Sequence, residues 1–250
     1  DWKVEGLRRI RGLPSVFGAP MRFIKALIVV LSFFLPTVVA AQNVVVELFT
    51  SQGCSSCPPA DKILRKLAQE DNIIVLGWHV DYWDYLGWKD EFSRPENTER
   101  QMGYRDRWNL RSLYTPQAVI HGEVQIVGSN EHEIRKYVDQ FQADGASLEL
   151  KLNRSGNTAG ISVSTSISGF PAAEIYLVKV ISEASTSIRR GENAGRTINY
   201  VNIVEEMVWV SNWNGKSKVS VSAPINDDAS YVVLVQVKDF GPILGAAILN

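Results

Sequence analysis

Residues 49–64 read FTSQGCSSCPPADKIL, and this stretch limits the possible folds more than any other. It sets the chain's only two cysteines, Cys54 and Cys57, between a strand pattern and a helix pattern. Before them, Val44-Val45-Val46-Glu47-Leu48-Phe49 is a short apolar, β-branched run of the kind that forms a buried strand. After them, Ala60, Leu64, Leu67 and Ala68, flanked by Ile63, recur at helical spacing from Pro58 to Gln69. Pro58 and Pro59 fit only the first turn of that helix, where a missing N–H costs little. Ile73-Ile74-Val75-Leu76 is a second buried strand. The segment therefore reads as a strand–helix–strand unit with a right-handed crossover.

Downstream, Gln117-Ala118-Val119-Ile120 and Glu123-Val124-Gln125-Ile126-Val127 flank His121-Gly122, which predicts a hairpin with a two-residue turn. Gly128 and Ser129 follow, and Asn130 with Glu133 predicts a capped helix carrying Ile134, Tyr137, Val138 and Phe141 on one face. The connection ahead of this hairpin is long and holds four of the seven tryptophans, Trp78, Trp83, Trp88 and Trp108. Within it, Ser93 and Glu96 form a capping-box pattern for a helix running to about Asn109, with Pro95 in its first turn. A connection of this length is often functional. Its aromatics either pack a small subdomain, or Trp83, Tyr85 and Trp88 line a groove for a substrate or partner beside Cys54.

The pattern changes near Gly145. Residues 42–145 alternate strands with helices, whereas residues 146–250 read almost wholly as strands, near 147–153, 159–167, 173–181, 197–209, 217–222, 231–238 and 243–248. Such spacing predicts an all-β, sandwich-like C-terminal domain, immunoglobulin-like in outline. It has no cysteine pair and must cohere by apolar burial. Residues 189–200, RRGENAGRTINY, interrupt it with two glycines and three arginines. They form either an exposed loop, or an anion site or lip over the first domain's cleft.

The beginning of the chain reads differently. Residues 21–42, MRFIKALIVVLSFFLPTVVAAQ, have a basic start at Arg22 and Lys25, an apolar run over 26–35, and small residues offering cleavage after Ala40 or Ala41. These are the three parts of a secretory signal peptide, and the run is short for a membrane span. An uncleaved anchor is the alternative. Residues 1–20 precede Met21 and read as an upstream extension without a structural role. Residues 1–41 hold six of the 26 basic and two of the 27 acidic side chains, so the remainder carries a net charge of −5. That predicts an exported, periplasmic or secreted protein with no span after cleavage, a poor nucleic-acid binder, in a compartment where disulfides persist.

The order of strand, Cys-x-x-Cys, helix, strand, Thr-Pro, hairpin and helix resembles the thioredoxin fold in its minimal, glutaredoxin-like form, over about 44–142. That resemblance implies an α/β thioredoxin-like domain with a helical, aromatic-rich insertion. It also implies that Pro116, after Thr115, is a cis-proline facing the dithiol. The stretches ELFTSQGCSSCPPAD, VDYWDYLGWKD, YTPQAV and RRGENAGRT together resemble a family of uncharacterised secreted bacterial proteins with a thioredoxin-like domain, across both parts of the chain. This likeness implies fold and export, and carries no established reaction.

Three chemistries fit the cysteines. In the first, the chain is an exported thiol–disulfide oxidoreductase acting on protein thiols and disulfides, a small disulfide or a redox partner protein. Cys54 attacks near a helix N-terminus, whose N–H groups stabilise a thiolate, and Cys57 resolves the mixed disulfide. Cys57 directly precedes Pro58, which disfavours helical dihedrals at Cys57 and moves the expected helix start beyond it. Thr115 and Pro116 would shape the substrate edge, with Trp83 and Trp88 beside it. Thioredoxins often carry a buried acid that serves the second cysteine, and Glu47 stands one residue further away than that pattern; an exposed Glu47 is the alternative. In the second chemistry, Cys54, Cys57 and His79 bind or deliver copper, as exported thioredoxin-like copper proteins do with two cysteines and a histidine. In the third, the disulfide is structural and the chain is an interaction module. Closing so short a loop stabilises by only roughly 2 kcal/mol. No cofactor is implied by the redox reading.

Overall fold

The computed structural model describes residues 43–145, 148–226 and 228–249. The expected signal peptide and upstream extension, residues 1–41, lie outside them. The chain begins with β1 (Val44–Thr50), α1 (Pro58–Leu67) and β2 (Ile73–His79). A single 3-10 turn (Asp84–Leu86) and α2 (Pro95–Arg107) fill the long connection. The hairpin β3 (Gln117–Ile120) and β4 (Val124–Val127) then leads to α3 (Glu131–Ala143). Seven strands follow: β5 (Glu149–Ser155), β6 (Thr158–Ser164), β7 (Ala173–Ser187), β8 (Thr197–Trp213), β9 (Val219–Pro224), β10 (Ser230–Val237) and β11 (Ile243–Leu249).

Eight strands form one mixed sheet in the order β11-β10-β7-β8-β2-β1-β3-β4. β1 and β2 are parallel, in register from Val44 opposite Ile73 to Thr50 opposite His79. Both are buried along their whole length, which is why they read as unbroken apolar runs. β3 pairs antiparallel to β1, and β4 to β3. The sheet does not stop at the expected division near Gly145. β8 joins the free edge of β2 in parallel, with Ile203 opposite Gly77. A Cβ at Gly77 would lie 3.4 Å from the Val201 carbonyl, so glycine lets the backbones approach. Asn202 adds a side-chain bond to the Val75 carbonyl at 3.1 Å. The remaining strands, β5-β6-β9, make a separate three-stranded sheet.

The large sheet buries both faces. Val44, Val46, Leu48 and Val75 point to one side, against Leu64 and Leu67 of α1 and Val138 and Phe141 of α3. Val45, Phe49, Leu76 and Trp78 point to the other, against Tyr104 of α2 and Val178, Val204 and Leu234. A third cluster joins Ile161 and Val163 of β6 to Ile175, Val233 and Val235, so the small sheet packs on the β7–β10 part of the large one. Each such aliphatic side chain contributes about 1.5–3 kcal/mol when fully buried. Among the described residues no helix is long and apolar enough to cross a membrane.

Three local expectations change. Ser93 does not cap α2: its hydroxyl donates to Asp84 and to the Asp90 carbonyl, and the N-cap is Arg94. The hairpin loop has three residues, since Ile120 pairs with Val124. His121 and Gly122 both take left-handed dihedrals there, at φ 51 and 70. Cys57 is helical, at φ −78 and ψ −36, although Pro58 follows it. Its carbonyl accepts from Ala60 at 2.8 Å and Asp61 at 3.1 Å, and its N–H donates to the Cys54 carbonyl at 3.2 Å. Those bonds outweigh the steric preference of a residue before proline. Asn130 does cap α3, accepting from the Glu133 N–H at 3.3 Å.

Candidate functional site

β1 ends at Thr50, and the chain turns through residues 51–57 into α1. Cys54 and Cys57 are joined as a disulfide, with Cα atoms 5.4 Å apart. Cys54 is 2% exposed and Cys57 0%, while Ser55 and Ser56 between them face solvent. The helix start is poor in free donors. Pro58 and Pro59 have no N–H, and the N–H groups of Ala60 and Asp61 already bond the Cys57 carbonyl. A thiolate here gains from the helix dipole but finds no first-turn amide left over from those four residues.

The wall opposite the disulfide is the Thr115–Pro116 segment, whose peptide bond is cis. The Ser56 hydroxyl donates to the Thr115 carbonyl at 3.4 Å, and the Trp83 indole N–H to the Thr115 hydroxyl at 2.8 Å. Gly53 lets Trp83 lie against the loop, because a Cβ would sit 3.1 Å from both Trp83 Cβ and its carbonyl. Trp88 donates to Gln52 Oε1 at 2.7 Å. The structure thus brings Trp83, Trp88, Thr115 and Pro116 around the Cys54–Cys57 loop; both tryptophans are half-buried.

Beneath the loop lies a charged cluster that apolar patterning does not reveal. Thr50 and His79, opposite each other in the β1–β2 ladder, point to the α1 side of the sheet. Asp61, one helical turn after Cys57, accepts from the Thr50 hydroxyl at 2.8 Å, and its Oδ2 is buried without a partner. Burial pushes the Asp61 carboxyl up to about 7, against the lowering effects of the His79 charge and the Thr50 bond. His79 Nδ1 meets Asp90 Oδ2 at 2.7 Å, with both groups buried. Burial favours neutral imidazole, but the Asp90 charge and hydrogen bond hold the His79 proton above its ordinary range. Asp90, despite its own burial, is held low by His79 and by the Gln52 and Phe92 N–H groups. The ring of Tyr200 stands 4.7 Å from that of His79, its hydroxyl buried and unpartnered.

Glu47 and His79 are both engaged by other partners. Glu47 is neither exposed nor beside the cysteines. It projects to the face away from α1, where its carboxylate pairs with Arg100 Nε at 2.6 Å and accepts from the Tyr104 hydroxyl. One extra residue before the cysteine reverses the face, because strand side chains alternate. His79 does end β2, as the copper alternative needs, but its Nδ1 is taken by Asp90. Among the described residues no group of three or more His, Cys, Asp or Glu side chains is placed to hold a metal. The structure holds Cys54 and Cys57 as a disulfide and His79 in a buried pair with Asp90.

A family model described as a protein of unknown function, DUF1223, matches residues 45–236. The chain belongs to the DUF1223 family. An Agrobacterium tumefaciens protein solved by X-ray crystallography is 32% identical to this DUF1223 chain, with a TM-score of 0.73 over 84% of this chain and 94% of that one. HBP35 of Porphyromonas gingivalis shares the fold at a TM-score of 0.58, with 15% identity, over 83% of this chain and 74% of its own. A curated Archaeoglobus fulgidus protein named "Probable Thioredoxin" is 25% identical over 100 residues, which is 40% of this chain and 90% of that one.

Asp61 and Asn193 are the residues of this DUF1223 protein that sequence reasoning passes over. Asp61 has a visible signal: it shares a helical stripe with Cys57 and Leu64, so an acid interrupts an apolar face. Asn193, from the RRGENAGR stretch, is 0% exposed. Its Nδ2 donates to the carbonyls of Gln52 at 2.9 Å and Cys54 at 2.8 Å. Nothing local in the sequence pairs positions 54 and 193.

Proposed function

We propose that this DUF1223 protein is an exported thiol–disulfide oxidoreductase, built on a thioredoxin-like unit over about 44–143 and followed by a sandwich-like second part. The observation that carries the reading is the Cys54–Cys57 disulfide at the head of α1, facing Thr115–Pro116, above a buried carboxyl tuned to about 7. The relative named as a probable thioredoxin supports the same chemistry. In the reducing direction, the Cys54 thiolate attacks a substrate disulfide and releases one substrate thiolate. Cys57 gives its proton to Asp61 and attacks Cys54 Sγ. The second substrate thiolate leaves, and the Cys54–Cys57 disulfide forms; two electrons pass to the substrate. Asp61 suits the proton step because it lies one turn from Cys57 and has a free Oδ2. The reverse sequence oxidises a dithiol.

The burial of both cysteines favours one competing reading, an interaction module with an inert disulfide. A Cys57→Ser variant separates the two. The oxidoreductase traps mixed disulfides between Cys54 and exported proteins, and the wild type shows a reversible dithiol–disulfide transition in a glutathione titration. No trapped partner and no transition within the glutathione range would leave the inert module standing.

A further inference from the structure

The loop of residues 188–196 comes from the second part of the chain, yet it is bolted to the dithiol loop. Asn193, fully buried, bonds the carbonyls on both sides of Gly53. Gly191, at φ 76, brings the loop against Trp88, where a Cβ would lie 3.2 Å from Trp88 Cβ. The loop is also closed on itself: Gly195 N–H donates to Ile188 at 2.8 Å, Ile188 N–H to Arg196 at 2.9 Å, and Arg196 N–H to Asn193 at 3.1 Å. Ile188, 2% exposed, roots it in the core. What this rigid loop presents to solvent is charge. Arg189, Arg190 and Arg196 are all exposed, with Glu192 as the one acid among them. None of the three arginines forms an ion pair among the described residues, whereas Arg100, Arg105 and Arg135 do.

We propose that residues 188–196 are the substrate-recognition lip of the dithiol site, and that the lip selects disulfides flanked by acidic side chains. This rests on the oxidoreductase reading and adds its substrate class. Within residues 188–196 three arginines stand against Glu192 alone, a net charge of +2 on this loop in a chain whose formal net charge is −1, although Glu91 accepts from Thr186 beside it. The helix start has spent its amides, and the guanidinium groups of Arg189, Arg190 and Arg196 lie within four residues of the Asn193 anchor. Guanidinium forks match carboxylates in geometry, and their field raises the encounter rate of an anionic partner. Asn193 acts as a positioning residue: it touches the Cys54 backbone and sets where the arginines stand.

The test uses the full chain, reduced, and two disulfide-linked peptides that differ only in Glu or Lys beside the cysteines. The rate constant of exchange is followed at low and high ionic strength. The Glu peptide is expected to react about tenfold faster at low salt, within the range of electrostatic steering, and the gap should narrow at high salt. In the exposed triple variant Arg189→Ala/Arg190→Ala/Arg196→Ala the preference should vanish while exchange with a neutral disulfide persists. Asn193→Ala keeps the charges but frees the lip, and should reduce the preference. Equal rates for both peptides in the wild type, or a preference that survives in the triple variant, would overturn the recognition lip alone. If the wild type exchanges with neither peptide nor the neutral disulfide, the oxidoreductase reading fails and the lip with it.

Discussion

Asp61→Asn is the most informative single change, because it removes one charge and keeps the shape of the site. Burial raises the carboxyl from 3.8 to about 7. Between those values the folded protein holds a proton that the unfolded chain has lost. The Asp61 contribution to stability therefore falls as pH rises from about 4 to about 7, and levels above that. At about 1.4 kcal/mol per pH unit, ionising Asp61 in place costs on the order of 4 kcal/mol. His79 acts in the same direction on the alkaline side. Its folded value is raised, so its contribution is complete below 6.5 and is lost as pH rises through that folded value. The asparagine amide can still accept from Thr50 through its oxygen.

Urea midpoints of the oxidised protein, measured across this pH range, read the effect. Wild type and Asp61→Asn should differ little near pH 4 and diverge as pH rises, the variant ending more stable by about 2–4 kcal/mol above pH 7. The slope that remains in the variant includes His121, which burial pushes down to about 4 so that its contribution grows as pH rises towards 6.5, and His79, whose contribution is lost on the alkaline side. Parallel profiles for the two proteins would refute the argument. The reduced protein gives a second readout. If Asp61 accepts the Cys57 proton, the variant should accumulate the Cys54 mixed disulfide longer than wild type does.

Arg100→Ala leaves Glu47 buried and without its cation, which should cost about 3–5 kcal/mol in urea unfolding; a loss below about 1 kcal/mol would mean that the pair is solvated. Gly128→Ala places a Cβ 2.6 Å from Leu48 Cδ1 and 3.0 Å from Pro116 Cβ, so it should lower stability by about 1–3 kcal/mol and slow exchange at Cys54 through the displaced Pro116. An unchanged midpoint and rate would show that Leu48 yields freely.

What the sequence makes legible follows the periodicities that it carries. The β1, α1 and β2 pattern is readable because Val44–Thr50 and Ile73–His79 are buried on both faces, and because two prolines mark where a helix begins. The aromatic connection is readable as a feature but not as geometry. Hydrogen bonds from Trp83 to Thr115 and from Trp88 to Gln52 depend on how the chain folds back across 32 and 36 residues. Glu47 shows the limit of a motif carried over with one residue of slack: the alternation of a strand turns an expected proton relay into the anchor of Arg100 on the opposite face. Asp61 escapes notice because a single acid on a helix usually faces water, and only its burial beside Thr50 and His79 makes it unusual.

The joining of β8 to β2 gives these pieces a common logic. A strand–helix–strand unit ending at residue 143 would leave the outer edge of β2 unpaired and Ile74, Leu76 and Trp78 with α2 as their cover on that face. β8 pairs with that edge at Gly77, and Val178, Val204 and Leu234 cover that face. Residues 188–196 connect β7 to β8, and their own contacts bring them to the end of β2: Asn193 bonds the Gln52 and Cys54 carbonyls, and Tyr200, just beyond the loop, stacks edge-on against His79. The family match, over 45–236, likewise spans both parts without a break. The second part therefore makes two separate connections to the first: β8 pairs with the edge of β2, and Asn193 holds the arginine-bearing loop against the Cys54 turn.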